Sequence, residues 1–476
     1  MTGLAAATAV ATISATSTAG EGEEQKSIVD DPKIDLVKGH VQRTSGTLDK
    51  NGTLVSEAQR SIPIQGKSQV LVCGGGPAGI AAALAAARAG ASVRLIELAG
   101  CLGGVWTAGL LTKILDGENK TGIMKELLTA FSQRGSDTAK KSGGSVYDPE
   151  IAKAVLEELL TEAKVSILYH TRVVGVITAG RRIAAVLTES KSGRQGWTAD
   201  TYVDCTGDGD LAAQAGCRFD LGRDADCACQ PMSLMALLTG IDFETAVQFK
   251  DRNKLFKLMQ SVGIKPSYRA PTLRHLHSGI YSLMANHEYG VSAFDADAIT
   301  QATIRSRREI NDIVNGLRKA GSAWSNVALV ATAEQIGIRE GRRILGRYHI
   351  SQKDVMAGLR HQEAICRSSF PIDIHGLSAA DPAFAHAVEG QSAKPFDIPY
   401  PALVAADVDG LLMAGRCISG DFIAHASYRV TGNSVAMGEA AGLAAATSVK
   451  LGKAPHELSW ASIRSERGAQ KDTGDR

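Results

Sequence analysis

The stretch Gln69–Glu97, QVLVCGGGPAGIAAALAAARAGASVRLIE, constrains this chain more than any other. Gln69–Cys73 is a short apolar run of strand character, and Gly74, Gly76 and Gly79 follow it as G-x-G-x-x-G. An Ala-rich helix then runs until Gly90 caps it, and a second strand, Ser92–Ile96, delivers Glu97 18 residues after the last glycine. Each part has a mechanical reason. Gly74 permits the tight turn, Gly76 lets backbone approach a pyrophosphate, and Gly79 lets helix pack closely on strand. Pro77 and Ala78 complete the turn, where free N–H groups and the positive end of the helix dipole favour an anion. Glu97 is placed to accept hydrogen bonds from a ribose 2′-OH, which argues against a 2′-phosphorylated nucleotide. Strand, turn, helix and acid fall in register, so the segment predicts a dinucleotide site.

The 476 residues allow two or three domains. Apolar content of 44% and charged content of 21% are those of a soluble globular protein. The balance of 52 basic against 50 acidic residues implies no polyanionic partner, and 5% aromatics suit a stacking nucleic-acid binder poorly. The eight cysteines include no C-x-x-C and no His pair lies at zinc spacing, so no metal is expected. Cys227 and Cys229, the one close pair, read as unrelated thiols. Leu4–Ala19 is apolar and rich in small residues, but the first basic residue is Lys26. Two readings stand for it: a truncated export signal, which would place the protein in the periplasm, or a disordered tail on a cytoplasmic one. No stretch is long and apolar enough for a membrane span.

The texture of the chain divides it into a signal-like or disordered start (1–25), a linker (26–61), a dinucleotide-binding part (62–225), an inserted α+β substrate or cap domain (226–404), a second dinucleotide-binding part (405–455) and a tail (456–476). Gly100–Leu111 is a second glycine-rich loop containing Gly103 and Gly104, and Ile123–Gln133 has helical spacing. Asp148 is the expected N-cap of a helix over Pro149–Ala163. Val165–Tyr169, Thr171–Thr178, Arg182–Glu189 and Thr201–Cys205 predict a parallel strand, an antiparallel hairpin and a return to the parallel sheet. The last of these runs into Thr206-Gly207-Asp208-Gly209-Asp210, at a sheet's carboxyl edge, where open α/β folds bind ligands; Asp210 is the expected cap of the short helix that follows. Near the end, Leu411–Ala414 reads as a buried strand ending at Gly415-Arg416, a polar loop follows, and Gly432-Asn433 opens a long helix of small residues.

Three separated blocks, GGGPAGIAAALAAARAG with Glu97, the strand–CTGDGD turn, and LLMAGRCISGD with HASYRVTGNSVAMGEAAG, together resemble the FAD-dependent oxidoreductases of the glutathione-reductase-type Rossmann superfamily. The resemblance covers most of Ile62–Val449 and is nearest to bacterial single-FAD enzymes related to fumarate reductase flavoproteins and thiazole synthases. It implies an α/β fold: a Rossmann-type FAD-binding domain in three layers with an inserted cap. It implies FAD as cofactor, with Gly74, Gly76, Pro77, Ala78, Gly79 and Glu97 at the ADP half and the backbone of Val173 at adenine. It places Gly103, Gly104, Thr206, Gly207, Asp208, Gly415, Arg416 and Asp421 along the phosphate–ribityl path, and Gly432 and Asn433 at the isoalloxazine. Relatives commonly carry Gly-Asp directly after the last strand. Here Gly415-Arg416 comes first and Gly420-Asp421 later, so Arg416 and Asp421 both stand for the ribityl contact.

No second strand–G-x-G-x-x-G unit follows Glu97. One dinucleotide domain plus one cap predicts direct hydride exchange between a small organic substrate and flavin N5, with an unidentified donor or acceptor for the electrons. Such chemistry needs an acid or base near the reacting carbon and a group that orients the substrate. His425 and Arg429, in the segment before the long helix, are the catalytic candidates. Arg339, Arg342 and Arg343 read as a strand with Arg339 and Arg343 on one face, and Arg274, His275 and His277 form a polar cluster in the cap. The alternatives are a flavin-binding biosynthetic enzyme of thiazole-synthase type and a non-catalytic dinucleotide-binding protein. Substrate and oligomeric state are not legible.

Overall fold

A computed structural model describes residues 44–136, 144–223, 227–378 and 393–473. The apolar start and most of the linker lie outside these. The chain divides into two compact units, residues 1–58 with 191–193, and residues 59–190 with 194–476. In the smaller one, Gly46–Leu48 and Val55–Glu57 pair as an antiparallel hairpin. Its turn is held by Asp49, whose carboxylate accepts from the N–H groups of Thr53 and Leu54 at 2.7 and 2.8 Å.

The larger unit starts with the predicted βαβ. Strand β1 (Ile64–Cys73) leads into helix α1 (Pro77–Arg88) and strand β2 (Val93–Ile96). Helix α2 (Pro149–Glu162) begins at Asp148, whose carboxylate accepts from Glu150 N and Ile151 N, so the expected cap is the observed one. Strand β3 (Ser166–Leu168) returns parallel to β2. The antiparallel pair β4 (Arg172–Ala179) and β5 (Arg182–Ser190) follows, and then the long β6 (Gly193–Asp204) runs parallel to β1. Val70–Cys73 at the end of β1 are wholly buried while its start, Ile64 included, is exposed, as befits a strand entering a covered sheet.

The chain then builds a separate antiparallel sheet from β7 (Ala236–Thr239), β8 (Thr272–His277), β9 (Ile280–Met284) and β10 (Ala328–Thr332), in the order β8-β9-β7-β10. A short helix over Phe243–Gln248 ends before Asp251, which caps a new one, α3 (Arg252–Ser261). Helix α4 (Ala296–Leu317) packs with α3, and residues from Met232 to Ile336 join Leu110 in a second hydrophobic core. Ile344, Ile350, Ile372 and Phe396 belong instead to the first core.

Strand β11 (Leu411–Met413) completes the main sheet beside β6 in parallel, giving the order β3-β2-β1-β6-β5-β4 with β11 off β6. Two helices close the fold, α5 (Phe422–Tyr428) and α6 (Thr431–Leu451). Helix α6 lies directly on α1. A Cβ on Gly438 would sit 2.0 Å from Ala78 O, and one on Gly442 2.1 Å from Ala82 O. Glycines four apart on one helix facing alanines on the other let the two backbones touch, since interaxial distance is set by the side chains between them. The start of α1, at Ala78, thereby lies against Gly438 of α6, and Ser434 in the first turn of α6 comes near Gly415. Among the described residues no helix is long and apolar enough to cross a membrane, and no group of His, Cys, Asp and Glu is arranged to hold a metal ion.

Candidate functional site

The glycine turn has the geometry its sequence implies. Gly74 has φ +98°, and a Cβ there would meet Cys205 O at 2.3 Å; on Gly79 one would meet Gly74 O at 1.7 Å. Gly76 differs: a Cβ built on it meets nothing within 4 Å. Helix α1 has no side-chain cap at this end. Gly103 N donates to Gly75 O at 2.8 Å, which lays Gly103-Gly104 over the turn. Gly415 lies opposite, where a Cβ would stand 3.3 Å from Ala78 Cβ and 3.9 Å from Ser434 Oγ. An unfilled cradle of backbone at an uncapped helix start is what a pyrophosphate requires.

Glu97 is buried beside this cradle. Its carboxylate accepts from Gly75 N at 2.5 Å and Ala99 N at 2.7 Å, and its backbone joins it to β3 and β4 through Leu168 O and Thr171 N. Val173, on β4, is thus held two residues beyond that contact. Burial raises the Glu97 carboxyl above its usual range, against the two N–H donors that lower it. Glu97 therefore shapes the turn, and its carboxylate stands where the sequence places the ribose contact. Glu97→Gln is expected to weaken cofactor binding less than Glu97→Ala. Each lost hydrogen bond to the charged acceptor is worth about 1.5–3 kcal/mol. Titration of apoprotein with FAD, read by fluorescence quenching, measures the difference; equal affinity in both variants and parent counts against a ribose contact.

Along the next stretch Thr206 Oγ1 donates to Asp204 Oδ1 at 2.7 Å and accepts from Asp210 N at 2.8 Å. Gly209 in the left-handed region, not Asp210, caps the short helix, and Asp210 pairs with Arg342 at 2.8 Å instead. Arg416 lies across Gly207 and pairs with Asp208 at 2.5 Å, while its Nε is buried without a hydrogen-bond partner among the described residues. Asp421 is committed elsewhere: it caps α5 by accepting from Ala424 N at 2.8 Å, and it takes Gln352 N at 2.5 Å. Of the two ribityl candidates, Arg416 is the one with an unspent donor. At the start of α6, Gly432 packs on the backbone of Asp116-Gly117, and Asn433 Nδ2 donates to Ser368 Oγ at 3.0 Å. Thr431 Oγ1 and Asn433 Oδ1 are buried with no hydrogen-bond partner among the described residues. Buried polar atoms left unmatched are costly. Among them are atoms of Arg416, next to Gly415, and of Thr431 and Asn433 at the start of α6. The residues present fit a long polar dinucleotide such as FAD.

The segment expected to be a polar loop is largely helix. With Asp421 as cap and no Gly or Pro in Phe422–Tyr428, α5 forms, and Arg429 is its C-cap. His425 is fully buried on it, its Nδ1 3.7 Å from Glu340 Oε1, and neither ring nitrogen has a hydrogen-bond partner among the described residues. Burial, then the charges of Arg343, Arg429 and Arg416, hold the imidazole well below its usual range, so it is neutral at neutral pH. Burial raises the Glu340 carboxyl, and Gln230 N donates to its other oxygen at 2.8 Å. Arg429 donates to Asp373 O at 2.9 Å, approaches Asp373 Oδ2 to 3.5 Å, and leaves its Nε unmatched. Burial alone would raise the Asp373 carboxyl, but the hydrogen bond from His375 and the charge of Arg429 outweigh it and hold it well below the carboxylate range. Burial and the charge of Arg339 push His375 down to about 4 against the pull of Asp373.

Sequence reading missed Gln230, Glu340, Asp373 and His375, and with them Tyr268 and His287, whose rings stack at 4.1 Å. They come from separate cap loops without motif spacing; an unusual density of His, Tyr and Arg between Gln230 and Ala402 was the one signal. The arginine strand is also corrected. Only Arg343–Ile344 is strand, since Gly337 and Gly341 break the run. Arg339 reaches Pro231 O and Ser233 Oγ and lies 3.4 Å from His287, Arg342 goes to Asp208 O and Asp210, and Arg343 turns inward to Gly420 O and Gly222 O. His277 pairs with Asp148, and His275 packs between the rings of Phe243 and Tyr281.

Residues 69–466 match the FAD dependent oxidoreductase family. Among solved structures, a geranylgeranyl bacteriochlorophyll reductase-like protein of Thermoplasma acidophilum is 12% identical at a TM-score of 0.43, with 86% of this chain and 84% of that one covered. The p-nitrophenol 4-monooxygenase of Pseudomonas putida is 11% identical at 0.44, with 85% and 89% covered. The flavin-dependent monooxygenase PieE, solved with FAD and substrate, is 12% identical at 0.40, with 60% and 52% covered. No curated protein matches this chain.

Proposed function

This chain belongs to the FAD dependent oxidoreductase family and uses FAD, and from that premise we propose that it is a dehydrogenase or reductase of a small organic substrate. Bound FAD supplies the hydride acceptor or donor at its N5. The chain's own groups supply the rest. Gly74, Gly76, Gly79 and Glu97 would hold the ADP half, Gly415 and Arg416 the middle, and Asn433 the far end. His425 is the proposed proton acceptor, because it is neutral, buried and free at both ring nitrogens of partners among the described residues. Glu340 behind it is the proposed proton store, and Arg429, fixed by Asp373, orients a substrate oxygen. Burial excludes water from all three.

The observation that carries this reading is the unmatched, uncharged imidazole beside a carboxyl at full burial. A solely structural histidine would have satisfied its ring nitrogens. Anaerobic screening of small acids, alcohols and amines for bleaching of the yellow protein tests it, and heat release followed by chromatography identifies the cofactor. FAD without FMN is expected, because Glu97 and the glycine turn recognise an adenosine that FMN lacks. A protein whose flavin no substrate bleaches and no reduced product reoxidises would refute the redox role.

A further inference from the structure

We infer that Lys113 together with Arg252, Thr272 and Arg274 of the cap forms a subsite for an anionic group of the substrate, a carboxylate or a phosphate. The inference rests on the redox reading above and adds the class of molecule on which it acts. Thr272 and Arg274 are two apart on β8 and so share one face of that strand. Both carry a buried polar atom, Thr272 Oγ1 and Arg274 Nη1, with no hydrogen-bond partner among the described residues. Arg274 stands opposite Ser282 in the β8–β9 register, and Thr112 Oγ1 donates to Ser282 Oγ at 2.7 Å. Lys113, the next residue, is close enough to Arg274 and Arg252 to feel the charge of both. Arg252 is the first residue of α3, where the helix dipole disfavours a cation.

Among the described residues these cations are uncompensated. Arginines elsewhere pair with carboxylates, as Arg88 does with Glu126 at 2.7 Å and Arg305 with Glu288 at 2.7 Å. Among the described residues, none of Lys113, Arg252 and Arg274 has a carboxylate within ion-pair distance. Burial, then the charges of Arg274 and Arg252, push the Lys113 ammonium down to about 8, with Glu118 opposing. Burial and Arg252 push Arg274 down to about 10. Like charges gathered without counter-ions among the described residues raise the local concentration of an anion and recover their mutual repulsion when it binds. Tyr268 links this face to the reaction centre: it feels the charges of Arg252, Arg339 and Arg274, and it stacks on His287, 3.4 Å from Arg339.

The test is calorimetric titration of the full-length, FAD-loaded protein with succinate and, separately, with inorganic phosphate. Binding of at least one is expected, weakened about 10–100-fold in Arg274→Met and in Lys113→Met, with FAD content unchanged. Loss confined to succinate identifies a carboxylate substrate, and loss confined to phosphate a phosphate ester. Binding of neither anion by the parent, or affinities equal in parent and variants, overturns the subsite. Arg274→Lys keeps the charge and should recover part of the affinity, which separates an electrostatic role from a packing one. Heat of binding does not depend on flavin redox state. Anion binding without any bleaching would remove the redox reading alone, while bleaching by an uncharged substrate in a protein that binds no anion would remove the subsite alone.

Discussion

Gly76→Val is expected to leave the fold intact and to abolish FAD retention. The residue has φ −71° and ψ −175°, an extended conformation that valine adopts readily, and no protein atom lies within 4 Å of the added Cβ. The new Cβ therefore meets nothing in the protein. It fills the cradle between the start of α1, Gly104 and Gly415, through which backbone would approach a pyrophosphate. Affinity for FAD should fall at least about 100-fold, or about 2.7 kcal/mol, while the apoprotein melts within a few degrees of the parent apoprotein. Gly79→Ala makes the opposite prediction. Its Cβ would stand 1.7 Å from Gly74 O, so the turn itself must open, and stability should fall with cofactor binding. Fluorescence titration with FAD and thermal unfolding of both apoproteins separate the two. A Gly76→Val protein that binds FAD within threefold of the parent would show that the cradle is not the pyrophosphate site.

His425→Ala and Glu340→Gln are expected to keep the yellow cofactor and slow substrate-dependent flavin reduction by about 10²–10⁴-fold, the usual range for a general acid or base. The two groups lie 3.7 Å apart, so the double variant should lose little more than the slower single one. The pH dependence follows from the direction of the shift. Burial and three arginines hold His425 far below its usual pKa, so lowering the pH through 6.5 does not charge it. The reduction rate should show no step near pH 6.5, where an exposed histidine base would lose activity on the acid side. Stopped-flow reduction from pH 5.5 to 8, at measured FAD content, reads both effects. Losses under about threefold in both variants would make the pair structural. Arg429→Lys is expected to recover part of the loss seen in Arg429→Ala, because charge persists while the bidentate geometry does not.

The parts legible in the sequence are those in which neighbours along the chain constrain one another. The strand, the three glycines, the Ala-rich helix and Glu97 lie within one short segment, and the turn's sterics act between residues a few positions apart, such as Gly74 and Gly79. Asp148 as a helix cap and the hairpin between parallel strands are equally local. Asp210 and the arginine run misled for a common reason: both side chains and backbone took partners distant in sequence, Asp210 with Arg342 and Glu340 with Gln230. Local propensity does not count such partners.

The sequence by itself thus determined the dinucleotide-binding half, because glycine spacing and strand–helix alternation are properties of consecutive residues. Tertiary structure alone decided which polar groups are buried together. Gln230, Glu340, Asp373, His375 and His425 come from four stretches of chain, and all but His425 are unremarkable where they stand in the sequence. Their chemistry arises when the cap closes on α5 and removes water. Desolvation then drives His425 and His375 toward neutrality, while neighbouring cations and the His375 hydrogen bond keep Asp373 charged. Such shifts depend on distance and burial in three dimensions, and residue order carries neither.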